Sequence, residues 1–303
     1  MKISDLTYEH FSHKCKYEGI KIELAQSVIS LHSQYPDLLE SVFSLYSDYS
    51  VSEAIADFKV ELTPPLSIRR YIKKQVCFKC NSKEPFMPLP RAQAFPLLEW
   101  GLNWTATNHI NTHLLIHSAV LEKSGNVLIM PGTPGSGKST LCAALTYRRG
   151  YNLFSDELAF VGAEGDLVYP NARPVSLKNR SIDIIKEFAP DIVHSNVIHD
   201  TIKGSVAHFK PPANSVKNIK PARPKAIIFP KYQADLPTKQ LKLMQKEKAD
   251  TLLELSKHCF NFSVLHYHGF EILGKLINNS NCYSLEYGGD LATALKAIDE
   301  IME

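Results

Sequence analysis

Gly132-Thr133-Pro134-Gly135-Ser136-Gly137-Lys138-Ser139-Thr140 fits the pattern G-x-x-x-x-G-K-[ST], and the rest of the chain is read outward from it. Glycines at 132, 135 and 137 let the backbone curl, so that successive N–H groups point into one concavity. A helix that starts there aims the positive end of its dipole at the same place. Lys138 can then reach outer phosphates, and the Ser139 hydroxyl can ligate Mg²⁺. The stretch is therefore expected to cradle a nucleotide.

A short pattern needs the right flanks. Before it, Asn126-Val127-Leu128-Ile129-Met130 is an apolar run that predicts a buried strand. After it, Leu141, Cys142, Ala144 and Leu145 fall at helical spacing. Arg148 and Arg149 suit the last helical turn, and Gly150 suits the position beyond it. Strand, glycine loop, helix and glycine stop is the context a phosphate-binding loop requires.

Further out, His113 to Leu121 reads as a strand. Lys123-Ser124-Gly125-Asn126 is a hairpin signal, so this strand should pair antiparallel with the P-loop strand. Tyr151 to Phe154 predicts a strand ending at Ser155-Asp156-Glu157, and Leu158 to Val161 continues it. Leu167 to Tyr169 returns, Ser181 to Phe188 is an amphipathic helix closed by Pro190, and Lys225 to Pro230 is a buried strand. Residues 191–224 form a long stretch rich in His, Lys and Pro, with no assigned element. Helices are expected at Ala92–Trp104, at Ala249–Cys259, at Phe270–Ile277 entered through Gly269, and after the cap Asp290. Residues 1–98 read as a smaller, mixed, strand-rich region. Its strands are Tyr17–Leu24 and Phe58–Leu62, its turn is at Asn81–Pro85, and an extended passage carries Pro88, Pro90 and Pro96.

Composition narrows the partners. A net charge of +3, from 34 basic and 31 acidic side chains, is too balanced to argue for nucleic acid or an anionic membrane. No apolar run approaches a membrane span, and the N-terminus has no signal-peptide core, so a cytoplasmic protein is expected. The six cysteines are scattered. Cys77-Phe78-Lys79-Cys80 has no second C-x-x-C at zinc spacing, so structural cysteines near a strand end are the favoured reading.

A P-loop needs an acid to organise its metal and, for phosphoryl transfer, a group to take the acceptor's proton. Asp156 and Glu157 stand at the carboxyl end of the next strand, where one could hold Mg²⁺ and the other take the proton. His117, on the hairpin partner, could orient Asp156, or could be a hydrogen-bonded core residue. Arg173, Lys178 and Lys203 are cations that could meet phosphate charge, or could be solvated surface. Thr201 to His208 could be a mobile lid or an ordinary loop.

Together these residues resemble the catalytic domain of the HPr kinase/phosphorylase family, and most of all the bacterial branch of HPr kinase-related kinase A. The resemblance rests on Glu99-Trp100-Gly101-Leu102-Asn103-Trp104, Leu114 to Val120, Pro134 to Cys142, Ser155-Asp156-Glu157 and Arg173 to Asn179. It rests also on Lys203 to His208, Phe229-Pro230 and Phe260-Asn261-Phe262, so it spans about residues 99–262. It implies an α/β (α+β) fold: a P-loop-containing, phosphoenolpyruvate carboxykinase-like mixed sheet flanked by helices, occupying residues 99–303. It implies an ATP- and Mg²⁺-dependent kinase with a protein, peptide or small-molecule hydroxyl as acceptor, in a chain free to form a homo-oligomer. It implies that Asp156 is the general base assisted by His117, that Ser139 and Glu157 hold the metal, and that Lys138 and Arg173 stabilise the transferring group. The chain departs from the family pattern at Glu157, where a second aspartate is usual, and at Thr140, where glutamate is usual. No HPr-docking or phosphorylase segment stands out. A nucleotide-dependent switch without transfer activity is the rival reading from another class.

Overall fold

The computed structural model describes residues 1–237 and 240–303. Its centre, among the described residues, is an eight-stranded mixed sheet. The P-loop strand Asn126–Pro131 lies between the histidine strand Leu114–Lys123, antiparallel, and Arg223–Tyr232, parallel. Beyond these come Asn281–Tyr287, parallel, and the edge strand Leu241–Gln245. On the other side, Asn152–Ser155 and Leu158–Val161 both pair with the histidine strand, and Val168–Tyr169 closes that edge. Ser124 (φ 53°) and Gly125 (φ 82°) are both left-handed, as a tight hairpin turn with the sheet's own twist demands.

Strand alternation divides the core between the two faces. Leu128, Met130, Ala226 and Ile228 pack under the helices Lys138–Arg148, Arg180–Phe188 and Leu291–Met302. Val127, Ile129, Ile227 and Phe229 pack under Lys248–Ser256 and Phe262–Asn278. Both faces are covered, so the central strands read as continuous apolar runs. Truncating one of these fully buried side chains, such as Leu128→Ala, costs roughly 2–5 kcal/mol.

The N-terminal region is a second, five-stranded sheet: Ile20–Leu24, Ser27–Ser33, Phe58–Thr63, Gln75–Cys80 and Leu89–Pro90. Helices Tyr8–Tyr17, Pro36–Leu45 and the first half of Ala94–His109 share its core, which runs on through Leu102. That helix is thus continuous across the expected division at residue 98. Pro96 sits in its first turns and not in an extended passage; a proline near a helix start forfeits no intrahelical bond. Cys77 and Cys80 lie three apart on one strand and are buried and free. Odd spacing in a strand sends them to opposite faces, which suits packing and not joint ligation.

Two further corrections concern the second half. Residues 191–224 are built into a three-stranded antiparallel sheet, Val175–Lys178, Gly204–Phe209 and Ile198–Thr201, followed by the short helix Ala213–Lys217. Thr201 to His208 is therefore a hairpin strand pair with Gly204 at φ 81°. The helix expected to begin at Gly269 begins at Phe262 and kinks at His266, with Gly269 inside it. Among the described residues, no helix is long and apolar enough to cross a membrane.

Candidate active site

The P-loop leaves its strand at Pro131 and enters its helix at Lys138. Gly135 (φ 86°) and Gly137 (φ 88°) are left-handed. Any side chain at 137 would also collide with Tyr287, whose hydroxyl lies 1.9 Å from where its Cβ would stand. Tyr287 donates to the Gly137 carbonyl at 3.4 Å, and the Tyr232 N–H donates to the Ser136 carbonyl at 3.0 Å. Two tyrosines from the neighbouring parallel strands therefore clamp the loop from behind.

Pro134 to Thr140 line a cavity of about 640 Å³. Facing them are His117, Glu157, Lys178 and Lys203, while Ile184, Tyr287 and Leu291 supply apolar wall. Gly132 and Thr133 open instead onto a separate cavity of about 410 Å³ beside His258. Lys138 is buried where the helix begins, so its charge, the helix dipole and the loop amides share one end of the large cavity. Lys178 adds a second cation, 3.8 Å from the Glu157 carboxylate. Lys203 stacks its ammonium over Trp100 at 4.7 Å. Burial, then the neighbouring Lys178, lowers the Lys203 pKa.

The two adjacent acids part company. Asp156 and Glu157 form the bend between the strands Asn152–Ser155 and Leu158–Val161. Glu157 lines the large cavity; Asp156 does not. His117 goes with Glu157: its Nδ1 lies 3.1 Å from the Glu157 carbonyl oxygen and 3.7 Å from its carboxylate. A carbonyl can only accept, so Nδ1 carries a proton. The expected His117–Asp156 pair is replaced by His117–Glu157. Burial, then Lys138, lowers the His117 pKa. Burial works to raise the Glu157 carboxyl, but Lys178, His117 and Lys138 outweigh it and hold it low.

Asp156 is 5% exposed. Its Oδ2 accepts the Ser176 N–H at 3.1 Å, while Oδ1 is buried with no partner among the described residues. Burial, then the charge of Glu157, raises its pKa to about 6 against the pull of Lys138, Lys178 and the Ser139 hydroxyl. An orphaned carboxylate oxygen beside the P-loop hydroxyl is a hard-oxygen donor set that fits Mg²⁺. Among the described residues no three His, Cys, Asp or Glu side chains converge, so a divalent ion would draw its other ligands from phosphate and water.

Arg173 does not line the large cavity, against expectation. Its Nη1 pairs with Glu99 at 3.1 Å, both side chains being buried, and its Nη2 bonds the Asn103 side-chain oxygen. Tyr46 completes the cluster by donating to Glu99 at 2.5 Å. The guanidinium fork is filled, and it fastens helix Ala94–His109 behind the acids. Sequence reading missed Tyr232 and Tyr287, which act through long-range pairing and carry no local motif, and gave Ser176, inside the quoted segment Arg173 to Asn179, no role. His208, quoted within Lys203 to His208, was given no role of its own: its ring is buried against Phe95, and burial pushes its pKa down to about 3.

No family model matches the chain, and no curated protein matches it. Among solved structures, the chain is similar to the Hpr(Ser) kinase/phosphatase from Coxiella burnetii, at 12% identity. That match covers 62% of this chain and 93% of the other, with a TM-score of 0.29, too low to carry an inference.

Proposed function

We propose that the chain is an ATP- and Mg²⁺-dependent phosphotransferase acting on a hydroxyl group, with a serine of a protein or peptide as the favoured acceptor. One observation carries this reading: a P-loop with Lys138 and Ser139 faces, across one cavity, a carboxylate held by a histidine and a lysine. A pure binding module has no use for that second wall.

The division of labour follows the side chains. The loop amides and Lys138 would hold the β- and γ-phosphates. Ser139 and Asp156 would hold Mg²⁺, which when bound offsets charge on the phosphates. Glu157 would accept the acceptor's proton, oriented by His117, whose Nδ1–H is fixed on the Glu157 carbonyl. Lys178 and Lys203 would meet charge on the transferring group. Assigning the base to Glu157 and the metal to Asp156 reverses the roles that the family resemblance implied.

Incubation with γ-labelled ATP, Mg²⁺, a serine-containing peptide library and a metabolite extract tests the reading. Label is expected on a hydroxyl, in peptide or small-molecule form, and Glu157→Gln should lower transfer roughly 10²–10⁴-fold while leaving nucleotide binding in place. Normal transfer by that variant would remove Glu157 from the role, and zero turnover with every acceptor would favour a nucleotide switch.

A further inference from the structure

The sequence Leu66-Ser67-Ile68-Arg69-Arg70-Tyr71-Ile72-Lys73-Lys74 lies between two strands of the N-terminal sheet, far in sequence from the P-loop. All nine residues are exposed. Four are cations, none is acidic, and Leu66 is 98% exposed. An exposed apolar run laced with uncompensated positive charge is an interaction surface by composition.

The run also has shape. Its side of the sheet holds a groove of about 270 Å³, lined by Tyr35, Pro64, Arg70, Tyr71, Lys74 and Arg91. Arg70 lies over the Tyr71 ring and Arg91 over the Tyr35 ring, each at 5.2 Å, so two guanidinium planes are held against aromatic walls. Arg91 gives one nitrogen to Asp37 at 3.2 Å, while its Nε is buried with no partner among the described residues. Three cations against one aspartate leave the groove positive. The short helix Ile68–Arg70, capped by the Ser67 side chain, fixes how the run enters it.

We propose that this groove docks an acidic peptide segment: an extended stretch carrying Asp or Glu beside an apolar or aromatic residue. The charge complements the groove, forked guanidiniums match carboxylates, and the tyrosines and proline offer a place for one apolar side chain. A concave site with its cations on the walls suits a single chain better than the flat headgroup layer of a membrane. Peptide capture here would hold whether or not the P-loop half transfers phosphate, and the readout is binding, not turnover.

Fluorescence anisotropy with a labelled, end-capped Asp-Glu-Phe-Glu-Asp peptide tests it on the full chain. Binding is expected, weakening as salt rises, and weaker by tenfold or more for the neutral Asn-Gln-Phe-Gln-Asn peptide. The double variant Arg70→Glu, Lys74→Glu should weaken binding at least tenfold, with ATP affinity unchanged as evidence of folding. Lys296→Glu, a charge reversal on an exposed helix elsewhere, should change it less than twofold. Equal binding of the neutral peptide, or an affinity untouched by the double variant, overturns the proposal. So does binding to phosphatidylglycerol vesicles with no binding to the acidic peptide.

Discussion

The two sheets handle their buried carboxylates differently. The N-terminal sheet seals its core with Phe11, Leu31, Leu39, Val60 and Phe78, and its buried carboxylate Glu99 is answered by Arg173 and Tyr46, while Asn103 holds the other arm of the guanidinium. The P-loop sheet is as apolar beneath its helices, yet at the strand ends it buries Lys138 and Asp156 and leaves Asp156 Oδ1 and Ser136 Oγ unanswered. Buried polar atoms without partners are rare, because each forgoes a hydrogen bond that water would have made. Where several gather around a phosphate-binding loop, a bound group is the natural partner. A closed charge cluster is architecture; an open one is a site.

The widest contrast comes from Lys138 and Arg173, both buried cations. Lys138→Ala should lower ATP affinity or turnover by roughly 10²–10³-fold, read by calorimetry, with little change in Tm. Arg173→Met should do the opposite. It leaves Glu99 buried without its partner and should destabilise the fold by roughly 3–5 kcal/mol in denaturant titrations. Nucleotide affinity per folded molecule should then stay near that of the parent. Leu31→Ala, in the same N-terminal core, should cost roughly 2–5 kcal/mol with equally little effect on the nucleotide.

A smaller effect lies in pH. The folded Asp156 pKa of about 6 lies above the ordinary aspartate value of 3.8, so between these the folded state holds a proton that the unfolded chain has lost. Its contribution to stability is therefore greatest below about pH 4 and declines as pH rises to about 6, by up to roughly 3 kcal/mol. Denaturant midpoints in EDTA should show Asp156→Asn gaining on the parent across that window and level above it. A gap that does not vary with pH would mean that burial does not govern this carboxyl. The smallest effect belongs to the exposed pair Lys296–Glu300, where Lys296→Ala should shift stability by no more than roughly 0.5 kcal/mol.

Local chemistry was legible in the sequence, and pairing across distance was not. The strand and helix that flank the glycine loop, and the Ser124-Gly125 hairpin, rest on residues within a few positions of one another, and each forms where expected. The Asp290 cap is likewise local, its carboxylate accepting the Ala292 N–H. Asp156 and Glu157 diverge at the bend between the strands Asn152–Ser155 and Leu158–Val161. Which of them faces the large cavity depends on register with the histidine strand, and no local pattern encodes that. Arg173 looked like a phosphate ligand because its true partner lies 74 residues upstream. Tyr287 reaches the P-loop from a strand, Asn281–Tyr287, whose polar alternate positions hid it.

In the proposed site Asp156 serves the metal and Glu157 the acceptor. Calorimetric titration of ATP with and without Mg²⁺ tests it most directly, on the parent, Asp156→Asn and Glu157→Gln. The parent should bind ATP more tightly with Mg²⁺, Glu157→Gln should keep that gain, and Asp156→Asn should lose it. If Glu157→Gln loses the Mg²⁺-dependent gain and Asp156→Asn keeps it, the two carboxylates have the opposite roles.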